Sequence, residues 1–210
     1  NQYTLIMDVL FPSSSTGYRA FWQTDTNNTT DGELFANAAN GIGISGIYQG
    51  TLTPDTWHRV VFAIDLTAPV DKLSKYIDGV LVGTQSLSPA VDGRWALDTV
   101  SLLFADESGE TGVGYVGSIQ FHDRVLTPAE IALLGGPNAA GIPTWTSGGI
   151  AQWDFNGNLA SSTSGATLTA AFTPPASVPE VSFVSTNIGG QMAQVAAFSR
   201  GTFFRMLHGL

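Results

Sequence analysis

The stretch from Leu52 to Gly83 constrains the fold of this chain more than any other part of it. In Trp57-His-Arg-Val-Val-Phe-Ala-Ile64, the residues Trp57, Arg59, Val61 and Ala63 alternate with His58, Val60, Phe62 and Ile64. Period two with bulk on both sides predicts a strand buried on both faces. Lys75-Tyr-Ile-Asp78-Gly79-Val-Leu-Val-Gly83 follows as a hairpin. Asp78-Gly79 is the residue pair that tolerates positive φ in a tight type I′ turn.

The rest of the chain reads almost wholly as strand and turn. Strands are predicted over 2–11, 18–23, 33–36, 41–48 and 99–104, and again near 166–172, 181–186, 193–199 and 202–207. The exception is a short helix over 127–134. Thr127 caps it, Pro128 takes its first position, Glu130 completes a capping box and Gly135-Gly136 ends it. The fold class is all-β: two packed antiparallel sheets of jelly-roll type.

The W-x-R-V-V-F strand followed by K-Y-I-D-G-x-L-V resembles the central signature of the laminin-G-like domains in the concanavalin A-like lectin/glucanase superfamily. Gly114-Tyr-Val-Gly-Ser-Ile-Gln-Phe-His-Asp-Arg-Val-Leu-Thr-Pro-Ala-Glu-Ile-Ala-Leu-Leu134 is similar to the family's closing strand and short helix, and the matching segments span about residues 1 to 143. This fold hosts lectins, glycan hydrolases, adhesion modules and scaffolding, so kinship alone names no activity.

The order of segments is unusual for that family. Trp153-Asp-Phe-Asn-Gly157-Asn-Leu159 resembles a strand that relatives place first, and Phe203–Leu210 resembles the segment leading into Asn1-Gln-Tyr-Thr. The resemblance implies a rotated domain: 1–136 form the main part of a jelly roll, 137–149 (Pro, Gly and small residues) a linker, and 150–210 the strands that complete a sandwich. Strands without neighbours expose unpaired backbone and half-buried apolar faces, so the tail must complete some sandwich. It could be its own in a permuted monomer, the next subunit's in a fibre, or an adjacent module's in a tandem array. The expectation taken forward is donation to a neighbour, with Trp145, Trp153 and Phe155 as assembly residues.

Composition narrows the partners. At 210 residues the chain fits one sizeable β-domain, and with no cysteine it has no disulfides. The net charge of −9 and eight scattered Lys and Arg argue against nucleic acid. No apolar run approaches the about 20 residues of a membrane helix. The chain opens directly in a strand, so any export signal is removed or lies outside it. Only 12% of residues are charged, and the hydroxyl-rich remainder suggests an extracellular, bacterial protein.

The sequence carries no catalytic pattern. Glycan hydrolases of this fold need carboxylates at i, i+2 or i+4 along a strand, with catalytic groups about 5–5.5 Å apart in retaining enzymes. Asp106, Glu107 and Glu110 come nearest, but they lie in a Gly- and Ser-containing loop. His58, His122 and His208 have no partner at metal spacing. Calcium takes about six to eight oxygen ligands. Asp25, Asn28, Asp31, Asp106, Glu107 and Glu110 supply such oxygens, against the plainer account that Asx-rich loops make turns. Laminin-G-like relatives present sugars beside calcium on such loops, so the resemblance implies the same here. Asn27 and Asn28 sit in N-glycosylation triplets, N-N-T and N-T-T. Trp22, Trp57, Trp95, Trp145, Tyr18 and Tyr48 are the aromatics available to stack on sugars, with Trp57 and Trp153 better suited to a core.

Together these features predict a non-enzymatic extracellular subunit that associates head-to-tail with copies of itself. The alternative is a calcium-assisted carbohydrate-binding module of an exported protein, with glycans as partners. A glycan-degrading enzyme comes third.

Overall fold

The computed structural model describes residues 2–26, 32–67, 72–87, 95–144 and 149–207. Along the chain these form β1 (Gln2–Leu10), β2 (Arg19–Gln23), β3 (Glu33–Ala36), β4 (Ile42–Ile44), β5 (Ile47–Gln49), β6 (His58–Asp65), β7 (Lys72–Ile77), β8 (Val80–Ser86), β9 (Val100–Leu103) and β10 (Gly114–His122). Helix α1 (Pro128–Leu134) follows, then β11 (Gly149–Trp153), β12 (Thr169–Phe172), β13 (Val181–Ile188), β14 (Gln191–Phe198) and β15 (Thr202–Leu207). One sheet runs β13-β14-β10-β1-β6-β7-β8, with β11 also paired to β10; the other runs β12-β15-β9-β2-β3-β4-β5. All the pairings are antiparallel, as the jelly-roll expectation requires.

Strands β1 and β6 lie at the centre of the first sheet, and both are buried on their two faces. Tyr3, Leu5, Met7 and Val9 alternate into the space between the sheets, where they meet Val60, Phe62, Ile64, Phe21, Trp22, Leu103 and Phe204. On the other side Ile6, Val61, Ala63 and Tyr76 pack under Ile131 and Leu134 of α1 and under Ile142. The doubly apolar pattern of β6 therefore has two covers, a sheet and a helix. The predicted capping box forms around Thr127 and Glu130. Arg124 bonded to Glu130, followed by the Thr127 backbone N–H, holds the Glu130 carboxyl down at about 2. Asp78 and Gly79 have φ of 52° and 82°, as a type I′ turn demands.

The outer side of β1 and β6 also holds a buried ion pair. Arg59 donates to both Asp8 oxygens, at 2.7 and 2.8 Å, and to the carbonyls of Leu134 at 2.7 Å and Gly141 at 3.1 Å. Gln120 donates to the Pro143 carbonyl, and Gln152 to that of Ile142. The segment read as a linker over 137–149 is thus held against the sheet through residue 143.

β11 pairs with β10 of the same chain, Trp153 opposite Ile119. β14 extends the same edge, and β15 pairs with β9 in the second sheet. Trp153 and Phe155 are each 1% exposed. Where 150–210 were expected to complete a neighbour's sandwich, the described part of the tail, 149–207, pairs with strands of its own chain. Trp145 lies outside the described residues.

Lys75 projects inward from β7, fully buried, and donates to the Ile47 carbonyl at 2.8 Å and to Gln85 Oε1 at 3.3 Å. Gly43 leaves it room: a Cβ there would lie 2.1 Å from the Ile47 oxygen and 2.8 Å from Lys75 Nζ. Burial lowers the ammonium from its usual range to about 8. The unfolded chain then holds this proton through a window, pH 8 to 10, in which the folded chain releases it. Lys75 alone should therefore contribute a rise of about 2 kcal/mol across that window. Tyrosines such as Tyr48, whose hydroxyls are raised by burial, oppose it with a loss, so the share of Lys75 is the difference between wild type and Lys75→Met. Urea unfolding of both at pH 8, 9 and 10 reads that difference.

Candidate functional site

The outward face of the second sheet gathers most of the exposed chemistry. Leu34, Ala36, Leu103 and Phe204 point into the core, so their neighbours Glu33, Phe35, Leu102, Phe203 and Arg205 point away from it. Gln23 sits opposite Glu33 on one side and Leu102 on the other, which places it on that outward face as well. Phe35 opposes Gly43, which opposes Tyr48. Tyr18, just before β2, meets Phe35 edge-on at 6.3 Å and Tyr48 at 5.8 Å.

The acidic loop after β9 joins this face. Phe104 takes φ of 65°, uncommon for a bulky residue, and is held there by Phe198 and Phe204. The turn directs 105–110 outward before Ala20 N–H donates to the Glu110 carbonyl at 3.0 Å. Carboxylate oxygens of Glu33, Asp106 and Glu107 converge to within 4.8 Å of one another. Gln23 Nε2 donates to Glu107 Oε2 at 2.9 Å, whereas Gln23 Oε1, on a fully buried residue, has no partner. Turning the amide over would face its oxygen to a carboxylate. An amide oxygen left unpaired in this way costs about 1–3 kcal/mol.

Electrostatics follow from the crowding. Burial raises the Glu110 carboxyl, helped by its hydrogen bond with Asp106 and by the charges of Asp106 and Glu107. Burial also lifts the Tyr48 hydroxyl to about 12, with Tyr18, Glu110 and Glu33 adding to the effect. Tyr48 therefore remains an O–H donor far into the alkaline range.

Of the residues expected to hold calcium, Asp106 and Glu107 come together. Glu110 stands beside them, and its backbone N–H donates to Asp106 Oδ1 at 2.5 Å. Asp25 instead accepts from Thr26 within its own loop and takes no part in the three-carboxylate group. Asn27, Asn28 and Asp31 lie outside the described residues. Gln23 and Glu33 belong to the site but were not foreseen. The alternation in Glu33-Leu-Phe-Ala already sets Glu33 opposite the core-facing leucine, and that signal could have found it. Among the aromatics, Trp22 and Trp95 are core residues and Trp57 is half-buried, so Tyr18 and Tyr48 are the ones the structure leaves on this face. His58 is engaged in the fold, bridging Asp78 and the Thr53 backbone N–H.

With that geometry in hand, comparison with known proteins fixes the family. The model for the concanavalin A-like lectin/glucanases superfamily matches residues 1–132. The chain belongs to this superfamily. No curated protein matches it. Among solved structures, a Trypanosoma rangeli sialidase bound to the inhibitor DANA is 16% identical at a TM-score of 0.42, covering 63% of this chain and 22% of that one. A Bacteroides ovatus protein named for carbohydrate binding is 11% identical at a TM-score of 0.44, covering 99% of this chain and 60% of that one. The superfamily match ends before β11, so 149–207 lie beyond it.

Proposed function

We propose that the chain is a non-catalytic carbohydrate-binding module of an exported protein, and that glycans bind on the outward face of its second sheet. One observation carries the reading: the Tyr18–Tyr48 pair and the group of Gln23, Glu33 and Glu107 lie on the same outward face of one sheet. Tyrosine rings offer a flat apolar surface with a polar rim, and the neighbouring oxygens accept hydrogen bonds from sugar hydroxyls. Superfamily membership supports the reading. Asp106 and Glu107 lie in a loop, without the alternating carboxylates along a strand that the fold's glycan hydrolases use, which favours the binding reading.

A glycan array probed with the whole chain tests the proposal. The wild type should bind a restricted set of oligosaccharides, and Tyr18→Ala and Tyr48→Ala should each weaken the best of them by about tenfold. No binding by the wild type, or equal binding by both variants, would rule it out.

A further inference from the structure

We infer that a cavity on the outer side of the first sheet, lined by Asp8, Asp154 and three side-chain amides, is a binding site for a primary ammonium group. The cavity measures about 110 Å³, and Asn138, Asn156 and Gln194 supply the amides. At roughly 30 Å³ per water, it has room for an ammonium and the carbon atoms next to it. A chain of buried side chains leads to it. His122 Nε2 lies 2.7 Å from Gln120 Oε1, Gln120 Nε2 donates to Gln152 Oε1 at 2.7 Å, and Gln152 Nε2 donates to Asp154 Oδ1 at 2.8 Å. Ser118 Oγ donates to the same oxygen at 3.0 Å. His122, Ser118, Gln120 and Gln152 are all buried, on a face that is elsewhere packed with Ile6, Val61 and Ala63. A buried polar network is tolerated only when its members are satisfied, and this one runs toward a single carboxylate.

The network fixes Asp154 by one oxygen and leaves the other over. Both bonds fall on Oδ1; Oδ2 accepts none among the described residues. Asp8 has Arg59 as its counter-charge, whereas no Lys, Arg or His lines the cavity to balance Asp154. The side chains of Asn156 and Gln194 are exposed and bond to nothing among the described residues, so their amide oxygens are open to a donor. An ammonium is charged and offers donors alone, which suits a spare carboxylate oxygen ringed by amides. An anion would be repelled, and a neutral hydroxyl would leave the charge of Asp154 unanswered. The cavity lies on the other sheet from the proposed glycan face. Asn138, Asp154, Asn156 and Gln194 all fall beyond the superfamily match at 1–132.

The ammonium could belong to a lysine side chain or to an amino sugar. Nα-acetyl-lysine amide and glucosamine present the two forms, and Nα-acetyl-norleucine amide and N-acetylglucosamine are their neutral counterparts. The isotope-labelled whole chain is titrated with each at neutral pH while its amide resonances are followed. At least one ammonium probe should give saturable shifts at Gly117, Gly141, Asp154 and Gln194 with a Kd on the order of millimolar, and its neutral counterpart should bind at least about tenfold more weakly. The probe that binds identifies the source. Asp154→Asn keeps an acceptor for Ser118 and Gln152 but removes the charge, and should lose about tenfold or more in affinity. Gln194→Lys sets a cation at the rim from an exposed position, and should weaken binding as much at an unchanged melting temperature. Four results would overturn the inference: no saturable shift with either ammonium probe, equal binding of the neutral counterparts, shifts centred on Glu33 and Glu107 instead, or unchanged affinity in Gln194→Lys. These shifts fall on the first sheet and those expected of a glycan on the second, so the two readings fail separately.

Discussion

Asp8→Leu should destabilise the chain by about 3–5 kcal/mol, the cost of leaving one member of a buried ion pair without the other. Both residues are essentially fully buried: Asp8 is 1% exposed and Arg59 0%. The buried Arg59 guanidinium would be left, among the described residues, with the carbonyls of Leu134 and Gly141 as its remaining side-chain partners. The reverse change, Arg59→Met, should cost less. Burial already pushes the Asp8 carboxyl up from its usual range while Arg59 pulls it down, and without Arg59 the carboxyl can take up a proton. The double variant Asp8→Leu/Arg59→Met should recover part of the loss, since two apolar side chains leave no charge to solvate. Urea unfolding of the three variants checks the order. Because Arg59 also anchors the 134–141 segment, its loss should loosen the path that brings the tail to β10.

Trp153→Ala should cost a similar amount, about 3–5 kcal/mol, as expected when a large aromatic leaves a closed core. The indole is 1% exposed, its Nε1 donates to the Ala166 carbonyl at 2.9 Å, and β11 pairs with β10 beside it. The same experiment tests who supplies this strand. If it comes from the same chain, the unfolding midpoints of wild type and variant are independent of protein concentration. If copies exchanged their tails, stability would rise with concentration by mass action.

Much of this architecture could be read from the residues. Alternation in Trp57–Ile64 foretold a strand covered on both sides, Asp78-Gly79 foretold its hairpin, and Thr127 with Glu130 foretold the helix start. Those features are local, set by side-chain period and by which residues accept positive φ. The destination of the tail was not local. Strand pairing bears no mark of which chain a strand belongs to, and the bonds from Arg59, Gln120 and Gln152 that hold residues 141–143 against the sheet go to backbone carbonyls, which no side-chain pattern announces. The site was half legible for the same reason. Asp106 and Glu107 stand out as an acidic run, whereas Gln23 joins them only through the register of β2 against β3 and β9. Trp22 and Gln23 are adjacent in sequence but face opposite ways. The Trp22 ring lies in the core and the Gln23 amide lies at the carboxylates.

The most direct test of the account is to titrate the isotope-labelled chain with the best oligosaccharide from the array and follow its amide resonances. The account predicts that the largest shifts fall on Tyr18, Gln23, Glu33, Phe35, Tyr48 and Glu107, all on one face of the second sheet. Shifts concentrated instead on the helix-covered side of the first sheet, around Ile131 and Ile142, would contradict it.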